Sequence, residues 1–321
     1  MVNRRSGELQ KKEPDLLRIC LYAGATVSKI LLSSTKSSLY YLPMFSRASP
    51  TLVSLLAIPA TLAHGPRDAR WQRPPAPAGV VSHDVAYEID GLPYEGFVAF
   101  PDASTGAIPG LLVAHQWMGL GEMEKFRAEE MAGWGYYAFA LDVYGQGVRP
   151  NTTDEASAAM TALTSDPPEL RKRIYAGLAM IQEGGLDEGP ARNESALVAN
   201  GYCFGGLMIL ELARTSAPVT AVCGFHAGLA NITDTAEDAF GDVAIQLHHA
   251  QFDSSGDAGL LGVEAELSAK PVEIFETIKY GNQYHGFTDP TNDVYDARSA
   301  EQSHASMRHF YAARLGMPST C

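Results

Sequence analysis

Apolar segments typical of β-strands alternate with segments of helical spacing from about Val80 to the end of the chain, and this alternation is what most constrains the fold. Short apolar runs such as Leu111–Ala114 are bounded by glycine, while residues 122–134 repeat their apolar side chains with a helical period. Strands that alternate with helices favour a parallel sheet covered on both faces. We therefore predict an α/β fold, with a mostly parallel central sheet, in one domain over residues 80–321.

Several boundaries within this pattern bear on function. The domain should begin with a hairpin that turns at Gly91-Leu92-Pro93, and a strand over 272–278 should precede a loop carrying His285. Residues 145–169 interrupt the alternation, and we expect them to cover the site as a lid. The last helix is predicted over 297–314.

The first 63 residues look like a targeting segment rather than part of the fold. The uncharged apolar run 51–63 ends in small residues suited to cleavage after Ala63. At about 13 residues it is shorter than the roughly 20 of a membrane span, so no stable span is expected once the leader is removed. We predict a secretory signal with Met44 as the functional start, then a Pro/Arg-rich linker over 64–79. The alternatives are a buried helix or an uncleaved anchor, with a cytoplasmic or organellar location.

Charge and sequons bear on the partners of the chain. The net charge is −13 at pH 7, and an acidic surface repels phosphate backbones, so nucleic-acid binding is excluded. Asn-x-Ser/Thr sequons at Asn151, Asn193 and Asn231 fit a secretory glycoprotein. The oligomeric state stays open at this stage.

The segment Gly201-Tyr202-Cys203-Phe204-Gly205-Gly206 lies between an apolar strand and a helical pattern. This is the setting of a nucleophile elbow, in which a strand turns sharply into a helix and presents a strained central residue. Gly201 and Gly205 would let the turn close, and Gly206 would let the helix pack tightly. The helix N-terminus favours the thiolate form of a cysteine, so Cys203 is a candidate nucleophile. The alternative interpretation is a buried, inert cysteine in a glycine turn.

A nucleophilic thiol needs a base and a group that orients the base. His285 lies in a Gly-flanked loop beyond a strand, whereas His226, His248 and His249 lie within strand patterns and are better explained as packed or surface residues. Asp253 ends the strand between Cys203 and His285 in the sequence, with Asp257 as its competitor. The order Cys, Asp, His is that of α/β-hydrolases.

These segments resemble the dienelactone hydrolase family (carboxymethylenebutenolidase-like) of the α/β-hydrolase superfamily, from roughly Val81 to Leu315. The similar motifs are the G-x-C-x-G-G elbow at 201–206, the H-G-F loop at 285–287, the loop at 115–119 and the D-x-Y segment that ends at Tyr144.

The resemblance implies an α/β-hydrolase fold and assigns roles to residues. Cys203 would be the nucleophile, His285 the base and Asp253 the orienting acid. The backbone N–H groups of Trp117 and Phe204 would form the oxyanion hole. Tyr144 and Gln116 would line the pocket.

Two positions depart from the family pattern. Gln116 stands where the family has a glutamate; an amide cannot take a proton, so we predict a direct Cys203–His285 pair in the resting protein. Asp289 stands where dienelactone-cleaving members have an arginine, and a carboxylate there would repel an anionic substrate. Arg171 and Tyr175 lie on a predicted helix that could face the pocket and bind such an anion, although a Lys/Arg cluster is more often a solvated helix face.

The predicted activity is hydrolysis of small-molecule esters or lactones through a thiol-acyl intermediate, with no cofactor and no metal. One alternative is a member of the fold that binds small molecules without catalysis. A redox role for Cys203 is another, but no resolving cysteine lies nearby. A Cys223–Cys321 disulfide stays undecided.

Overall fold

The computed structural model describes residues 71–182, 186, 188–232, 240–270, 272 and 274–317. The predicted leader, the start at Met44, residues 64–70 of the predicted linker and Cys321 lie outside these residues. The described end of the linker packs on the first helix of the domain, where the ring of Trp71 lies 5.8 Å from that of Phe126. Asn151 and Asn193 are exposed, so both can accept a glycan, and their glycosylation stays a prediction.

Eight strands and six helices alternate along the described chain. The strands are β1 (Val80–Ile89), β2 (Leu92–Pro101), β3 (Ile108–Ala114), β4 (Tyr137–Ala140), β5 (Arg192–Tyr202), β6 (Ala221–Phe225), β7 (Ala244–Phe252) and β8 (Phe275–Tyr284). The helices are α1 (Glu122–Gly133), α2 (Thr153–Thr164), α3 (Pro167–Gln182), α4 (Phe204–Arg214), α5 (Gly256–Ser268) and α6 (Ala297–Leu315).

All eight strands form one sheet in the order β1-β2-β4-β3-β5-β6-β7-β8. The pairs β1–β2 and β2–β4 are antiparallel, and the pairs from β4 through β8 are parallel. The predicted α/β-hydrolase architecture is confirmed. The hairpin turns at Asp90 and Gly91, both with positive φ (52° and 75°), which suits a two-residue turn. Leu92 and Pro93 already belong to β2, so the predicted turn was placed too late.

Two apolar layers cover the sheet, as parallel strands buried on both faces require. One layer contains α3, α4 and α5, with Ile174, Met208 and Leu267 fully buried. The other contains α1 and α6, with Met131 and Met307 fully buried. Within the described chain, no helix is long and apolar enough to span a membrane.

The strand order positions the candidate site. The chain leaves β3 toward β4 on one side and returns at β5 on the other, so a crevice opens at the carboxyl ends of β3 and β5. Cys203 follows β5 directly, and Gln116 lies two residues after β3. Strand β8 runs to Tyr284 rather than to Ile278 as predicted, so His285 follows the strand without an intervening loop.

Candidate active site

Cys203 has a backbone conformation that only a specific turn can hold. Its φ and ψ are 55° and −114°, and a non-glycine residue at positive φ costs on the order of 1–3 kcal/mol. Hydrogen bonds on both sides hold it: its N–H donates to the carbonyl of Phe225 at 3.1 Å, and its carbonyl accepts from Gly228 at 2.8 Å. Cys203 is the N-cap of α4, so the sulfur lies at the positive end of the helix dipole.

The glycines around Cys203 are required because the backbone approaches itself there. A Cβ at Gly201 would lie 2.0 Å from the Gly205 carbonyl oxygen, and one at Gly205 would lie 2.1 Å from the Ala114 oxygen. The predicted role of these two glycines is confirmed. Gly206 is also needed for close packing. A Cβ at this position would lie 2.3 Å from the Cβ of Ala227, which comes just after β6.

Asp253 holds His285 in place. The Nδ1 atom of His285 lies 2.9 Å from Asp253 Oδ2, and Asp253 Oδ1 accepts from the N–H and the hydroxyl of Ser255 at 3.1 and 2.9 Å. The competitor Asp257 is exposed and pairs with Lys279 instead. Sequence reasoning missed Ser255, although an Asp two residues before a Ser is a common turn signal.

The other side of His285 hydrogen-bonds Cys203 directly. Burial alone would lower the pKa of His285, but the negative charges of Cys203 and Asp253 outweigh it and raise the pKa to about 10. Burial would raise the pKa of Asp253, and the contacts with His285 and Ser255 reverse this and lower it. The predicted direct pair between thiol and imidazole is therefore present, with the imidazolium form favoured.

The ring of His226 packs against the ring of His285. Its buried ring lies 5.1 Å from that of His285 in an edge-to-face arrangement, and its Nε2 lies 2.8 Å from the hydroxyl of Thr288. His226 is packed, as predicted, but it follows β6 with φ of 37° rather than lying within the strand.

The loop after β3 lies against the elbow. Trp117 is half-buried, and its carbonyl accepts from the hydroxyl of Tyr144 at 2.9 Å. The ring of Tyr144 stacks on that of Phe204 at 6.2 Å. Burial raises the pKa of Tyr144, and the nearby charge of Cys203 adds to this effect. The structure thus brings Trp117, Phe204 and Tyr144 together beside Cys203.

Comparison with known proteins identifies the group to which this architecture belongs. The model of the family described as the dienelactone hydrolase family matches residues 94–315. The chain belongs to the dienelactone hydrolase family. It is accordingly a hydrolase that acts on ester bonds.

The matches with individual proteins extend over most of the length of each related protein. A dienelactone hydrolase-like promiscuous phosphotriesterase from metagenomic libraries is 28% identical with a TM-score of 0.66, over 74% of this chain and 99% of that one. A solved structure named m3DLH is 27% identical with a TM-score of 0.67, over 74% of this chain and 99% of that one. An uncharacterized protein of Caenorhabditis elegans is 32% identical over 133 residues, which are 40% of this chain and 79% of that protein.

The two departures from the dienelactone hydrolase pattern contact each other. Gln116 Nε2 donates a hydrogen bond to Asp289 Oδ2 at 2.8 Å. Asp289 Oδ1 accepts from the N–H and the hydroxyl of Thr291 at 2.8 and 2.7 Å. The side-chain amide of Gln116 is therefore hydrogen-bonded to Asp289. The thiol of Cys203 interacts with His285 instead. Sequence reasoning treated the two positions separately.

Arg171 and Tyr175 do not lie at the site, and their prediction as pocket residues is corrected. Both side chains face α4: Arg171 pairs with Glu211 at 3.0 Å, and Tyr175 hydrogen-bonds Thr215 at 2.9 Å. An α-helix rises 1.5 Å per residue, so these contacts lie roughly 12 Å or more along α4 from Cys203. The fully buried Glu211 also binds Arg214, so Arg171 belongs to a structural ion-pair network rather than to an anion site.

Three other features lie away from the triad. Cys223 is a fully buried free thiol whose pKa is raised by burial, and its suggested partner Cys321 lies outside the described residues.

A groove of about 920 Å³ lies between α1 and α6, and none of Cys203, Asp253 and His285 lines it. Within the described ranges, no group of three or more His, Cys, Asp or Glu residues could hold a metal ion.

The predicted lid contains one helix. Helix α2 packs against α3 and buries Ala156 and Leu163. The segment before it lies over the loop after β3, since a Cβ at Gly119 would be 3.4 Å from the carbonyl of Val148. A lid role for residues 145–169 stays a prediction.

Proposed function

We propose that this protein hydrolyses esters or lactones of small molecules through a Cys203–His285–Asp253 triad and a thiol-acyl intermediate. The observation that carries the proposal is the continuous contact from Cys203 to His285 and from His285 to Asp253, with Cys203 at the elbow. A nucleophile, a base and an orienting acid in this arrangement are what acyl transfer requires.

In the first step the thiolate of Cys203 attacks the carbonyl carbon of the ester. The negative charge moves to the carbonyl oxygen, where the N–H groups of Trp117 and Phe204 would stabilise it; one such donor contributes typically about 2.7–4 kcal/mol. The C–O bond then breaks, and His285 gives its proton to the departing oxygen. The products of this step are the alcohol and a thioester on Cys203.

In the second step water releases the acid. Neutral His285 takes a proton from water as the oxygen attacks the thioester carbonyl, and the C–S bond breaks to return the thiolate. Asp253 keeps Nδ1 of His285 in its hydrogen-bonding orientation, so Nε2 can exchange protons in both steps. Esters and lactones suit this chemistry better than amides, because an amine is a poorer leaving group than the thiolate.

The test is hydrolysis of p-nitrophenyl acetate by the full chain, comparing wild type with Cys203→Ala and His285→Ala. We expect each variant to lose at least about a thousandfold in kcat/KM, the usual cost of removing a triad member. Cys223→Ala, which removes the buried thiol, is the matched control and should keep its activity. Mass spectrometry of the quenched wild-type reaction should find an acetyl group on Cys203.

A Cys203→Ala variant that retains wild-type turnover would contradict the proposal. Absence of turnover in every protein, with no acetylated Cys203, would favour the alternative of a binding protein without catalysis.

A further inference from the structure

Asp289 is a buried carboxylate that accepts hydrogen bonds from two amide groups. It is 6% exposed, and each of its oxygens accepts from an amide N–H, of Gln116 on one side and of Thr291 on the other. Both amides are donors whatever the pH, so both oxygens act as acceptors, as in a carboxylate. Among the described residues, no Lys, Arg or His forms an ion pair with Asp289.

Arg127 is a cation that contacts this segment, and its charge is compensated elsewhere. Its Nη2 donates to the carbonyl of Thr288 at 2.7 Å. Its Nη1 forms an ion pair with Glu130 at 2.7 Å. Asp289 therefore carries its charge without a direct ion pair among the described residues, in a water-poor setting where charges act over longer distances than in solvent.

The hydrogen bond to Gln116 places this charge between the two halves of the catalytic pair. A Cβ at Gly205 of the elbow would lie 3.0 Å from the His115 carbonyl oxygen, and Gln116 is the next residue along the chain. On the other side, the N–H of Asp289 donates to the Gly286 carbonyl at 2.9 Å, directly after His285. Asp289 thus links the loop beside the nucleophile to the loop that carries the base.

We propose that Asp289, held by Gln116 and Thr291, is a specificity-determining residue that disfavours anionic substrates and selects esters whose acyl group is neutral or cationic. The proposal rests on the function proposed above, because it concerns what reaches Cys203. A fixed negative charge in a segment next to the catalytic pair repels a second negative charge on the reagent, while a neutral reagent of the same shape meets no such barrier.

The test compares two reagents that differ in charge. Iodoacetamide is neutral and iodoacetate is anionic, and both alkylate a thiolate with loss of iodide. The full chain is treated with each, and the rate at Cys203 is followed by peptide mass spectrometry in wild type and in Asp289→Asn. Asparagine keeps the shape and removes the charge. A change in the intrinsic reactivity of the thiolate alters the rates with both reagents equally. The ratio of the two rates therefore reports only the effect of the reagent's charge.

We expect Asp289→Asn to raise the iodoacetate rate relative to the iodoacetamide rate by about tenfold, the effect of a unit charge on the order of 10 Å away at an effective dielectric constant of about 20. The matched control is Asp293→Asn, which removes the same charge from an exposed position in the same segment; its ratio should stay within about twofold of wild type.

An unchanged ratio in Asp289→Asn, or an equal change in Asp293→Asn, would overturn the proposal. Alkylation needs no turnover, so this result is independent of whether esters are hydrolysed. In a second arm, kcat/KM for mono-p-nitrophenyl succinate relative to p-nitrophenyl acetate should rise by a similar factor in Asp289→Asn. Loss of all ester turnover with the alkylation result intact would reject the hydrolase mechanism and retain the charge selection.

Discussion

We expect the protonation of His285 to decide how reactive Cys203 is. Cys203 and Asp253 raise its pKa to about 10 although burial opposes them. The imidazolium therefore persists through neutral pH, and a positive charge beside a thiol favours ionisation of that thiol. This charge is lost only as the pH rises through the pKa of His285.

Alkylation of Cys203 by iodoacetamide should therefore depend on His285 in a defined pH range. We expect wild type to react at least about tenfold faster than His285→Ala at pH 6, because the variant lacks the positive charge that holds the thiolate. The two rates should converge above about pH 10, where His285 is neutral. Rates measured from pH 5 to 10.5 give both profiles, and superimposable profiles would remove His285 from thiolate activation.

At this scale the sequence indicated that Asp253 and His285 meet, because each follows a recognisable strand, and the structure shows their contact; the roles of Cys203, Asp253 and His285 as a triad stay a prediction. The sequence could not predict the contact between Gln116 and Asp289. Two side chains 173 positions apart meet only when the sheet is assembled, and their rotamers follow from packing rather than from local pattern.

The elbow is the element on which the site depends, and its glycines differ from ordinary helical glycines. Gly205→Ala would drive a Cβ to 2.1 Å from the Ala114 oxygen, a backbone atom that cannot move without shifting β3. We expect this variant to lose about 3 kcal/mol or more of unfolding free energy, or to fail to fold.

The control for this prediction is Gly262→Ala in the middle of α5, where a Cβ meets nothing within 4 Å. It should stabilise the protein by about 0.5–1 kcal/mol, because alanine favours the helix. Urea unfolding of both variants gives the comparison. Equal stability of Gly205→Ala and wild type would mean that the elbow is looser than its contacts indicate.

The elements themselves were largely predictable from periodicity, with errors at their ends. Strand β8 was predicted to end near Ile278 but reaches Tyr284. Among its last residues, Lys279, which pairs with His249 of β7, and Asn282 are polar and exposed, so no apolar alternation marks this end of the strand. Arg171 and Tyr175 were placed on the correct helix, but its rotation about its own axis could not be read from the sequence.

Over the whole molecule, buried neutral histidines make stability depend on pH. Burial lowers the pKa of His248 to about 3 and lowers that of His304 well below its ordinary value. The unfolded chain binds protons at these positions below about pH 6.5 and the folded chain does not, so stability is present above that pH and is lost as the pH falls. His285 acts in the opposite sense, but its contribution is complete below pH 6.5 and adds no slope there.

We expect wild type to lose about 2 kcal/mol more than His248→Gln between pH 6.5 and 5, since each excess proton in the unfolded state costs about 1.4 kcal/mol per pH unit. Urea unfolding at both pH values measures this difference. His309→Gln on α6, an exposed position, should keep the wild-type slope. If His248→Gln also keeps that slope, the buried imidazole is not the source.

The order of the strands has a consequence for synthesis of the protein. Cys203 lies at the end of β5, whereas His285 follows β8, the last strand in the described chain. While the chain emerges from the ribosome, the elbow and α4 are available well before His285 is. The thiol therefore cannot form its ion pair until the C-terminal part has folded, and a truncated product ending before β8 would carry an unactivated cysteine. Reactivity in this protein is thus tied to completion of the fold.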